Sequence, residues 1–150
     1  MEIVFVLLGA LVAIVVLAFI VGTLVGRRLP VGHVASRSAT FAAPPERVWE
    51  VITDPAFMRS RGVGDVKTET IESVPPRRLV RRIVGEKDFG GTWTSELDPE
   101  ADGGARLVIT ENGEVYNAFF RFVSRYIVGH HRTIDSFLTA LRRRLDATGQ

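Results

Sequence analysis

The chain has 150 residues, enough for one domain and an appendage, carries a formal net charge of +2 and contains no cysteine. That charge is too small to argue for nucleic acid, and no aromatic–basic recognition motif accompanies it. A chain without cysteine has no disulfide framework, which fits a reducing compartment.

The hydrophobic share of 46% is unevenly spread. Between Ile3 and Gly26 only Gly9, Gly22, Thr23 and Gly26 are not apolar, and no charge occurs. The rest of the chain is about 39% hydrophobic, ordinary for a soluble domain. At about 1.5 Å per residue the apolar run spans about 36 Å as a helix, enough to cross a hydrocarbon core of about 30 Å. A signal peptide would open on basic residues, carry a shorter apolar run and end at a small-x-small site. Here Glu2 stands at the start and no clear site of that kind follows. A buried core helix rarely has so long an unbroken apolar stretch. The segment therefore predicts one transmembrane anchor, residues 1–28, contacting the lipid bilayer through residues 3–26. Arg27 and Arg28 follow it directly. Basic residues at a helix end favour the cytoplasmic side, so the N-terminus is expected outside and the domain cytoplasmic.

Leu29-Pro30-Val31-Gly32 reads as a linker, with the domain over 34–150. Val34 to Ala43 reads as a first strand. Pro44-Pro45-Glu46 opens a helix, because proline suits the first turn and Glu46 complements the helix dipole. Val48, Trp49 and Ile52 form its apolar side, and Asp54-Pro55 ends it. Residues 56–65 are polar and read as a loop. Four strands are expected next, at Val66 to Val74, Arg77 to Val84, Thr92 to Leu97 and Ala105 to Glu111, joined as an antiparallel meander. Gly90-Gly91 reads as a turn leading into the third of these. Asn112-Gly113 fits either a hairpin turn or a bulge in a longer strand reaching Tyr116.

The C-terminal part is helical. Phe119, Phe120, Val123, Tyr126 and Ile127 repeat at three-to-four spacing, and Gly129 interrupts. Ile134, Phe137, Leu138, Leu141 and Leu145 then share one face of a long helix. The order of elements gives an α+β fold, with the amphipathic helix covering the apolar face of one curved sheet.

The passage from Ala42 through Pro44-Pro45-Glu46-Arg47-Val48-Trp49 to Asp54-Pro55 resembles the opening of the START-like superfamily, also called SRPBCC or polyketide cyclase/dehydrase-like. Pro75-Pro76-Arg77-Arg78-Leu79-Val80, Gly90-Gly91-Thr92-Trp93-Thr94 and Gly113-Glu114-Val115-Tyr116-Asn117 resemble it too. The likeness covers about residues 34–146. It implies a helix-grip fold, in which an antiparallel sheet wraps a long C-terminal helix around an apolar cavity. It also implies a hydrophobic ligand such as a lipid, sterol or polyketide, or a cyclase activity. The family usually has a further strand pair before the Val66 strand, and 56–65 leaves no room for it. About five strands are expected, with an exposed sheet edge that offers a homodimer contact.

No cofactor is expected, and no motif names a catalytic residue: Gly-x-Ser-x-Gly is absent, and no serine or threonine sits beside a recognisable base. His33 falls in the linker and His130-His131 point to different sides of a helix, so no metal-ligand spacing exists. Arg77, Arg78, Arg81 and Arg82 either hold an acidic head group or form a solvated face. Trp93 shares strand parity with Leu97, Leu107 shares it with Ile109, and Phe137 and Leu141 share the inner face of the last helix. These six and Tyr116 are the candidate ligand-binding residues, with plain core packing as the alternative. Three functions follow: a membrane-tethered binding module for a hydrophobic small molecule, a polyketide cyclase/dehydrase-type enzyme, or an interaction domain with a collapsed cavity.

Overall fold

The apolar run folds as one helix. In the computed structural model, which describes residues 1–58 and 66–148, α1 spans Glu2–Arg27. It is long and apolar enough to cross a membrane. Among the described residues, most of its side chains are exposed and only Gly22 and Gly26 of the helix are buried. These two glycines lie one turn apart and face the segment after the sheet. The rings of Phe119 and Phe122 lie against Gly22, and a Cβ on Gly26 would overlap the carbonyl oxygen of Ala118.

The first strand, β1 (Gly32–Phe41), begins two residues earlier than Val34 and ends two before Ala43. The reason is pairing: β1 runs antiparallel to β5 (Ala105–Val115) from Gly32 opposite Glu114 to Phe41 opposite Ala105. The sheet has the order β1-β5-β4-β3-β2, with β2 Thr68–Val74, β3 Arg78–Ile83 and β4 Phe89–Pro99. All pairings are antiparallel; β2 to β5 form the expected four-strand meander, and β1 joins it at β5, giving five strands. Between β1 and β2 come α2 (Pro45–Thr53) and a short turn of helix, α3 (Pro55–Met58). The loop expected over 56–65 is thus helical at its start, because the Asp54 carboxylate accepts from the Ala56 amide at 2.8 Å. Its remainder, 59–65, lies outside the described residues.

Asn112-Gly113 is neither a turn nor a bulge. Both residues sit inside β5, in unbroken register with Thr92 and Gly91 on β4. Gly90-Gly91 is correspondingly strand rather than turn. Gly91 has φ +120°, and a Cβ there would overlap the Asn112 carbonyl oxygen. Two glycines face to face let β4 and β5 continue to Phe89 opposite Val115.

After β5 the chain forms α4 (Ala118–Val123), capped by the Asn117 side chain, which accepts from the Phe119 amide at 2.9 Å. A single π-helical turn, Ser124–Val128, follows and closes at Gly129 with φ +78°. The last helix is α5 (Arg132–Thr148). Its residues Ile134, Phe137, Leu141 and Leu145 are buried, as their spacing predicts. They join Val48, Val51 and Ile52 of α2, Phe57 of α3 and the inward residues Ala35, Leu79, Leu97, Leu107 and Ile109 in one core. This is an α+β helix-grip architecture.

Candidate ligand cavity

Strand register places Arg81, Trp93 and Glu111 in one row across β3, β4 and β5, on the face turned toward α5. The next row toward the core is Leu79, Ser95 and Ile109. Here the core does not fill. A cavity of about 280 Å³ lies between these rows, α2, α3 and the start of α5. Ile52, Met58, Leu79, Ile83, Trp93 and Phe137 make most of its wall apolar. The Trp93 and Phe137 rings have centroids 5.5 Å apart, and Phe57 meets Phe137 edge-on at 5.8 Å. The lining also includes Phe89, Gly90, Gly91 and Gly113. These lie at the end of the sheet where β1 starts, only a few residues after α1.

Two titratable side chains enter this apolar space from either side of Trp93. Arg81 donates from Nη2 to the Ile52 carbonyl at 3.3 Å, and burial lowers its pKa. Among the described residues Glu111 Oε2 is buried with no hydrogen-bond partner, and burial raises the Glu111 pKa. Among the described residues no ion pair joins the two. Glu111 Oε1 instead lies 3.7 Å from His33 Nε2. His33 stacks on His130 with ring centroids 3.9 Å apart, and His130 Nδ1 lies 3.2 Å from Ser124 Oγ. Burial first, and the neighbouring His130 second, lower the His33 pKa. His33 and His130 line a second hollow of about 350 Å³, together with Leu29, Arg121 and Arg125. Burial therefore favours the neutral forms of both Glu111 and His33.

No protein-family model matches the chain, and no curated protein matches it. Solved structures do. A conserved protein from Geobacillus kaustophilus superposes with a TM-score of 0.64 at 16% identity, over 77% of this chain and 97% of that one. Protein MLL2253 from Mesorhizobium loti gives 0.63 at 17%, over 77% and 98%. A START superfamily protein from Mycobacterium smegmatis gives 0.61 at 12%, over 77% and 99%. The chain has a START-like, SRPBCC-type fold. The likeness carried by the Pro44-Pro45 opening is thereby a likeness of fold.

Within the START-like fold the seven candidate residues fall into three places. Trp93 and Phe137 line the cavity. Leu97, Leu107, Ile109 and Leu141 lie in the filled core beside it, each no more than 2% exposed. Tyr116 is 46% exposed past the end of β5, where its hydroxyl donates to the Glu114 carboxylate at 2.7 Å. Of the four arginines, Arg81 alone lines the cavity. Arg78 pairs with Glu72 and Glu96, and Arg82 with Glu69, on the outer surface, while Arg77 is exposed.

His33 is not a linker residue. It belongs to β1 and meets His130, which stands in the turn before α5 rather than on a helix. Among the described residues no group of three metal-ligating side chains gathers. Glu111 is the residue that sequence reading passed over. Its signal was parity, since it continues the inward series Leu107, Ile109.

Proposed function

We propose that this chain is a membrane-tethered binding module for a hydrophobic small molecule, a lipid or related metabolite. The supporting observation is the place of the cavity: its apolar lining clusters at the end of the sheet that α1 leads into. A cavity held there has a short path to a ligand dissolved in the bilayer. Residues 1–28 are the anchor; the linker expected over 29–33 shortens to 29–31, because β1 opens at Gly32, and the domain follows from there. The Arg27-Arg28 pair supports a cytoplasmic domain with the N-terminus outside. Trp93 and Phe137 supply the aromatic wall, and Arg81 and Glu111 select a ligand with a polar group at one end. The core leucines and Ile109 back this wall. The β2 edge, exposed along its whole length, offers a homodimer contact.

A second reading, an enzyme of the cyclase/dehydrase kind, is favoured by one observation. Glu111 lines the cavity and its Oε1 lies 3.7 Å from His33 Nε2 of the adjoining hollow, a carboxyl–imidazole pair of the kind that moves protons.

Native mass spectrometry of the full chain, released from detergent after incubation with a total lipid extract, tests the first reading. A discrete hydrophobic adduct is expected on the wild type and not on Thr133→Trp, because Thr133 of α5 lines the cavity and an indole there would occupy it. A bare chain mass from the wild type at every lipid load would sink the reading.

A further inference from the structure

The segment after β5 does not fold back onto the sheet's core. None of the residues from Ala118 to Val128 is buried, although seven of these eleven are large and apolar or aromatic. Phe120 is 48% exposed, Tyr126 61%, Ile127 69% and Val128 46%. Exposed apolar residues in such a cluster mark an interaction surface. What covers it follows from its neighbour. Phe119 packs on Phe19 of α1 with centroids 4.7 Å apart, and Phe119 and Phe122 cover Gly22. The Arg121 guanidinium donates from Nε to the Gly26 carbonyl at 3.0 Å. The segment is thus clamped along the last two turns of α1, a helix whose own apolar side chains face outward. Arg27, Arg28, Arg121 and Arg125 stand in the same region. The composition is that of an interfacial element: aromatic and aliphatic side chains for the acyl boundary, arginines for the head groups.

We infer that Ala118–Val128 lies in the membrane interface as a second lipid contact, so that the domain is seated on the bilayer and not only tethered to it. This rests on α1 spanning the membrane. Seating has a geometric consequence. Glu114, Tyr116 and the paired start of β1 adjoin the segment, so the cavity end of the sheet is held against the lipid surface.

The chain has no native cysteine, so single cysteines can be spin-labelled in the full protein without background. Ile127→Cys, Leu11→Cys in α1 and Ala101→Cys in the exposed β4–β5 turn are reconstituted in vesicles of phosphatidylcholine with one quarter phosphatidylglycerol. Collision of each label with oxygen and with a water-soluble nickel chelate is measured by power-saturation electron paramagnetic resonance. The expected result is a loss of nickel access and a gain of oxygen access at Ile127 relative to Ala101, with Leu11 deeper still. A label at Ile127 as open to nickel as that at Ala101, with Leu11 in the bilayer, overturns this inference alone. A Leu11 label in water overturns the tether itself. A label at Ile127 shielded from both reagents indicates a protein partner and also overturns the inference.

Discussion

Glu111 Oε1 lies 3.7 Å from His33 Nε2 because Gly113 has no side chain. His33 stands opposite Gly113 in the β1–β5 register, and a Cβ at Gly113 would overlap the imidazole. The ring can therefore sit over Gly113 and approach the carboxylate two residues away.

The burial of these two groups predicts how stability depends on pH. Burial raises the Glu111 pKa above its ordinary 4.5, so the folded state keeps a proton that the unfolded state has released. Stability falls as pH rises through that window, and the cost of a charged Glu111 persists above it. His33 and His130 have lowered pKa values, so below their ordinary 6.5 the unfolded state binds more protons and acid destabilises the fold. Glu111→Gln removes the first effect only. A gain on the order of 1 kcal/mol is expected at neutral pH, shrinking to nothing below pH 4.5. Urea unfolding of both proteins from pH 4 to 8 measures it, and an equal difference at every pH would refute the assignment.

The glycine pair between β4 and β5 gives a second expectation. Gly91→Ala meets both a positive φ and the Asn112 carbonyl oxygen, so it should cost about 2 kcal/mol or more. Gly103→Ala has a positive φ of +84° but open space around it, so about 1 kcal/mol is expected. Thermal unfolding compares the two. Equal losses would mean that the strand contact contributes nothing.

Much of this architecture was legible beforehand, for physical reasons that differ by element. The α5 face and the length of α1 follow from periodicity and apolar run, which tertiary context rarely overrides. Strand ends were harder. Gly90-Gly91 and Asn112-Gly113 look like turns, because the sequence does not reveal that each glycine faces the other across two strands. The cavity was the least legible part. Trp93, Leu97, Leu107 and Ile109 share parity and hydrophobicity, and only packing distinguishes the tryptophan at an unfilled space from three side chains that fill theirs. His33 and His130 are 97 positions apart and meet through β1 pairing, which no local spacing encodes.

The contact between α1 and α4 predicts an effect confined to one region. Gly26→Val would drive a branched side chain into the Ala118 carbonyl and displace the Arg121 hydrogen bond. Amide exchange in detergent should show faster exchange over residues 118–123. Protection over β4 and β5 should not change, because the core contains no α1 residue. Faster exchange throughout the sheet would mean that α1 is part of the domain's cooperative unit.

Core and cavity can be separated by two truncations on one helix face. Leu141 is fully buried in the core and does not touch the cavity, whereas Phe137, 3% exposed, lines it. Each truncation to alanine removes well-packed atoms, so each should cost about 3 kcal/mol in urea unfolding. Their effects on binding should diverge. Under conditions where both variants remain folded, Leu141→Ala should retain the hydrophobic adduct and Phe137→Ala should lose it or exchange it for a bulkier one. Phe137 meets Trp93 and Phe57 through its ring, so its removal also merges the space between those two rings with the cavity. If Leu141→Ala abolished the adduct as completely as Phe137→Ala, binding would be reporting the integrity of the whole core. The aromatic wall would then have no particular part in holding the ligand.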